Sequence, residues 1–164
     1  MTKKTFLLFT FSLLLLPQLS HACPLGAGES KLSLTRVMRN FGKHILPADR
    51  ATQKGSMGAD VTDAELDAAV NGLGIAMSCA STVATDRSGD LYPKKAAELT
   101  GDARERYLHT FFSRMQDFLR GLSEYRAILA ALRAQPAKER NFELAKTQMR
   151  AVTGLANRAH EDLQ

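Results

Sequence analysis

From about Asp102 to Leu132 apolar residues return at helical intervals without a break: Leu108, Phe111, Phe112, Met115, Phe118, Leu119, Leu122, Tyr125, Leu129 and Leu132. That spacing predicts one continuous helix of about 31 residues, roughly 46 Å long at 1.5 Å per residue. A helix of this length with one apolar side has to bury that side against other helices of similar length. The rest of the chain supplies them.

The segment after Pro136 repeats apolar residues in steps of three and four: Phe142, Ala145, Met149, Val152, Ala156, Ala159 and Leu163, a heptad seam. Before the long helix, Thr62 and Glu65 form the S/T-x-x-E signature of a helix start. Leu66, Ala69, Val70, Leu73, Met77, Ala80 and Val83 follow as one stripe, ending near Thr85. Gly72 and Gly74 weaken that helix but permit close packing on a neighbour. A first helix is expected from about Ser30 to Leu46, with Leu34, Val37, Met38, Phe41 and Ile45 inward and Pro47 as its stop. Residues 47–61 then read as a loop, and 86–101 as a connector with one short helix opened by Pro93. No strand pattern, internal repeat or low-complexity tract is evident. The expected fold is all-α, an antiparallel up-down-up-down four-helix bundle.

The N-terminus reads differently. Lys3 and Lys4 precede an apolar run, Phe6–Leu16, that is short for a membrane span; Pro17 breaks it and Ser20-His21-Ala22 offers small residues for cleavage. Residues 1–22 are therefore expected to be a secretory signal and 23–164 one domain in the periplasm, without a membrane span, as a monomer or weak dimer. Lipid anchoring through Cys23 is the lesser reading, because Ser20 and His21 fit a lipoprotein box poorly. The formal charge is +5; Lys3 and Lys4 contribute two of these, and the remaining bases are interspersed with acids, so nucleic-acid binding is not suggested.

In an up-down bundle the start of helix 1 lies beside the end of helix 4. Met38 and His160 then point into the same end of the core. Folding the last two helices about Gln135 brings Phe111, Phe112 and Met115 to the height of His160. A neutral imidazole and a thioether are one axial pair that holds haem iron in electron carriers, and the absence of CxxCH makes any such haem non-covalent, b-type. The same residues also suit a plain core: methionine fills gaps, and a histidine near a helix C-terminus complements the dipole. His109 falls at the same end, on the flank of the long helix, and His44 reads as boundary or surface. Asp63, Glu65 and Asp67 read as the first turn of a helix, and no catalytic pair is apparent.

Two motifs bear a resemblance. Met38-Arg39-Asn40-Phe41-Gly42-Lys43 is similar to the first-helix pattern of the soluble cytochrome b562 family, and Leu155-Ala156-Asn157-Arg158-Ala159-His160 resembles that family's last helix; Gln116-Asp117-Phe118-Leu119-Arg120-Gly121 is a weaker echo of its third. The resemblance spans the mature chain in architecture. It implies an electron carrier, not an enzyme, with haem iron ligated by Met38 and His160 and redox proteins as partners. It adds Phe118 to Phe111, Phe112 and Met115 as residues against the haem. The chain departs from the family in longer connections, a longer final hairpin and a pair of cysteines.

Those cysteines, Cys23 and Cys79, sit where the start of helix 1 meets the end of helix 2, and in an oxidising compartment a disulfide is expected. A buried free thiol at Cys79 with a lipidated Cys23 is the other reading. Two rival functions stand beside the cytochrome: a haem-free, chaperone-like or stress-related bundle that binds other chains in its groove, and a metal site built on His160 and Glu161, which point to different sides of a helix.

Overall fold

The structure, a computed structural model, describes Cys23 and residues 33–163. The expected signal segment 1–22 and the expected helix start at 30–32 lie outside the described residues. Among those described, the fold is all-helical with no strand: α1 (Leu34–Ser56), α2 (Asp63–Ala84), α3 (Lys94–Glu98), α4 (Gly101–Arg133) and α5 (Glu143–Leu163), with a 3-10 turn at Ala137–Glu139.

The helix starts follow local chemistry. Thr62 caps α2 as a full capping box: the Glu65 N–H donates to the Thr62 hydroxyl (3.2 Å), and the Thr62 N–H donates to the Glu65 carboxylate (2.7 Å). Pro93 opens α3 with its fixed φ of −58°.

α1 corrects the expected stop at Pro47. The helix runs through the proline to Ser56, so most of the expected 47–61 loop is helical. A mid-helix proline loses a hydrogen bond and crowds the preceding turn, at about 3 kcal/mol. Burial of Ala48, Ala51 and Thr52 beyond it offsets that cost. The neighbouring helix also makes room at this point. A Cβ on Gly72 of α2 would overlap the His44 carbonyl oxygen and touch the Pro47 ring, so the absence of a side chain lets the two backbones approach there.

α1 packs on α2, α2 on α4, α4 on α5, and α5 returns to α1 along a thinner seam. Each long pair meets with one helix's end against the other's start. Lys54 of α1 bonds Glu65 of α2 (2.7 Å), Arg133 of α4 bonds Asp67 of α2 (2.9 Å), and the Tyr107 hydroxyl of α4 donates to the Leu163 carbonyl of α5 (3.4 Å). Leu66, Leu73, Val83, Leu122, Tyr125 and Leu129 form the core between them. α2 is the described helix long and apolar enough to cross a membrane by length and composition; in this fold its apolar side faces the core. A disulfide joins Cys23 to Cys79 of α2. It closes a loop over a separation of 56 residues, worth roughly 4 kcal/mol in the chain-entropy account.

Candidate functional site

One apolar cleft of about 280 Å³ opens where α1 begins and α5 ends. α1 contributes Leu34 and Met38; α4 forms the floor with Tyr107, Phe111, Arg114, Met115 and Phe118; α5 contributes Ala156, Ala159, His160 and Leu163; Pro93 closes one side. Two alanines on α5 leave the space that a larger pair would fill. Phe118 is tied back to α1 by a tilted stack on Phe41, ring centroids 4.7 Å apart, which fixes the floor against the Met38 helix.

Met38 and His160, from opposite ends of the chain, thus line the same cavity. Met38 is 44% exposed and is one of the few large apolar side chains that the fold leaves open. His160 is exposed on the last turns of α5, and its side chain forms no hydrogen bond or ion pair among the described residues. Phe111, Met115 and Phe118 are buried in the floor.

Phe112 departs from expectation: it does not line the cleft. Its ring packs edge-on against Tyr92 (5.6 Å, 74°) and Phe111 (5.4 Å, 61°), under the connector that precedes α4. Height along the helix places it correctly, but it lies about 100° around the axis from Phe111, on the side facing the connector. His109 is exposed and outside the cleft. His44 is half-buried against α2, and burial, with Lys43 beside it, holds its imidazole below the usual range.

Four lining side chains carry atoms able to ligate a metal: Met38, Met115, Tyr107 and His160. The Tyr107 hydroxyl is engaged by Leu163, and burial, then Glu98, pushes its pKa up. Met115 belongs to the core packing. Met38 and His160 remain, on the two rim helices. No group of three or more His, Cys, Asp or Glu able to hold a metal ion occurs among the described residues, so His160 and Glu161 gather no third such ligand. Sequence reasoning did not find Tyr107, Arg114 or Pro93. Tyr107 and Arg114 could have been found, because they stand four before and three after Phe111 and so share its face; Pro93 was legible as the start of a short helix but not as a wall of the cleft.

Compared with protein-family models, curated proteins and solved structures, the chain matches none.

Proposed function

We propose that this chain is an antiparallel up-down-up-down four-helix bundle of the cytochrome b562 kind. It works in the periplasm as a monomer or weak dimer, holds b-type haem between Met38 and His160, and passes single electrons to redox proteins without bond chemistry of its own. One observation carries the reading: a thioether on the first helix and an imidazole on the last, neither engaged elsewhere, line one apolar cleft with an aromatic floor.

The donor set suits the group. A soft neutral thioether and a neutral imidazole are a haem-iron pair, and the carbon-rich walls suit the flat faces of a porphyrin. The cleft's volume lies just under the roughly 300–1,000 Å³ of ligand sites, in keeping with a planar guest left partly exposed at the rim. When bound, haem supplies the one-electron chemistry. The chain's own part is to fix the ligands and exclude water. Phe111, Met115 and Phe118 keep the floor dry, and the Met38 thioether favours the lower oxidation state.

The test is the absorbance of purified protein mixed with haemin, oxidised and then dithionite-reduced, beside Met38→Ala and His160→Ala. The expected result is a sharp six-coordinate b-type spectrum that each substitution alters. A protein that stays colourless and takes up no haemin overturns the reading and leaves a haem-free bundle whose cleft binds other chains.

A further inference from the structure

Of the residues that line the cleft, Arg114 alone bears a fixed full charge, and no carboxylate stands among them. Its guanidinium is turned toward Asp162 at the end of α5: Nε donates to Asp162 Oδ2 (2.7 Å) and Nη2 approaches the same oxygen (2.5 Å). Asp117 is a weaker partner, 3.5 Å from Nη1, and is itself held by Arg120 at 2.5 Å. The Arg114 and Asp162 side chains are 33% and 39% exposed. A pair this open to water contributes little to folding and exchanges partners readily. Asp162 also sits in the last turn of α5, where the helix dipole disfavours an acid. The Lys54–Glu65 and Arg133–Asp67 pairs are at least as exposed; what sets this one apart is that its base lines the apolar cleft, so its carboxylate stands where an acid of a bound molecule would lie.

We propose that Arg114 anchors a carboxylate of the molecule bound in the cleft, and that Asp162 occupies the guanidinium until that molecule arrives. The inference rests on the haem reading of the cleft: iron protoporphyrin IX carries two propionate carboxylates on one edge of an apolar disc. A guanidinium at the mouth of an apolar cleft matches that edge by charge and by its planar fork of donors. Arg114 is a positioning residue here. It sets which edge of the porphyrin lies at the α4–α5 seam, and leaves Met38 and His160 to the iron.

The experiment is a Soret titration of the purified protein with iron(III) protoporphyrin IX and, separately, with its dimethyl ester, for the wild type, Arg114→Gln, Arg114→Lys and Asp162→Asn. Circular dichroism checks that each variant keeps its helices. Arg114→Gln should bind the diacid roughly tenfold more weakly, the loss of one charge-assisted contact, and the ester unchanged. Arg114→Lys should recover part of that loss, and Asp162→Asn should bind the diacid more tightly than wild type. Wild type that binds diacid and ester equally, with Arg114→Gln indifferent to both, overturns the anchor and leaves the haem site standing. Wild type that takes up neither overturns both. If Arg114→Gln does not fold, Asp162→Asn decides, because it keeps Arg114: no gain for the diacid overturns the anchor.

Discussion

Where α1 ends, α2 begins and α4 ends, polar groups are paired in layers. Tyr125 and Thr52 share a buried hydrogen bond of 2.8 Å, with Asp49 at 3.5 Å from the tyrosine hydroxyl. Arg140, its side chain 4% exposed, donates to the carbonyls of Leu132 (2.9 Å), Gln135 (3.2 Å) and Val61 (2.9 Å) and pairs with Asp63. Where α1 begins and α5 ends, Met38 and His160 stand open. The difference separates two tasks along one bundle. The closed end holds the helices in register, so the open end can leave the Met38 and His160 side chains uncommitted.

The sharpest way to break this comparison is to make the same cut at both ends. Leu66→Ala, at a fully buried site near the start of α2, should cost about 3 kcal/mol in denaturant unfolding, whereas Leu163→Ala at the cleft should cost under about 1 kcal/mol. Equal costs would mean that the open end is packed as firmly as the other. Next is Arg140→Gln, which strips donors from three carbonyls at the closed end; a loss of about 2 kcal/mol is expected from urea midpoints. Tyr125→Phe ranks third, at about 1–2 kcal/mol, because it leaves the buried Thr52 hydroxyl without its partner.

Acid unfolding sharpens the same contrast. The Lys54 ammonium first, then the Thr62 backbone and hydroxyl, pull the Glu65 carboxyl down from 4.5 to about 2. A depressed folded pKa stabilises the fold above the unfolded value, and that contribution fades as pH falls from 4.5 toward 2. Asp49 acts in the opposite sense. Burial raises its carboxyl above 3.8, so its neutral form favours folding at low pH, and the benefit is lost as pH rises through the raised value. Unfolding midpoints measured from about pH 2 to 7 should show a flatter acid limb for Glu65→Gln and a steeper one for Asp49→Asn. The smallest expected effect on stability belongs to Met38→Ala and His160→Ala, within about 0.5 kcal/mol by thermal unfolding, although both should alter the haem spectrum.

Much of this was legible in the sequence, but unevenly. The capping box marked the start of α2, and the unbroken apolar period gave α4 to within a residue at each end. Pro47 misled because the buried residues beyond it, Ala48, Ala51 and Thr52, are too small to mark an apolar stripe, while Asp49, Gly55, Ser56 and Gly58 look like turn formers. The contact with Gly72 carries the helix past the proline, a tertiary fact invisible in local spacing. At the cleft, hairpin arithmetic about Gln135 found the right height, since Tyr107 meets Leu163. It could not fix rotation about α4, and so it admitted Phe112 and passed over Arg114.

The disulfide has a mechanical consequence. Its covalent loop runs from Cys23 to Cys79, so a pull applied at both termini bypasses α1 and most of α2, and the tension falls on the helices beyond Cys79. α5 has few deeply buried residues, Ala145 and Val152, and its seam with α1 is thin. Under load it should peel first, from Leu163 inward, and the first turns to leave are those that bear Asp162 and His160. The helix that carries His160 is thus the one a pull lifts away from α4 while α1 and most of α2 stay under the covalent loop.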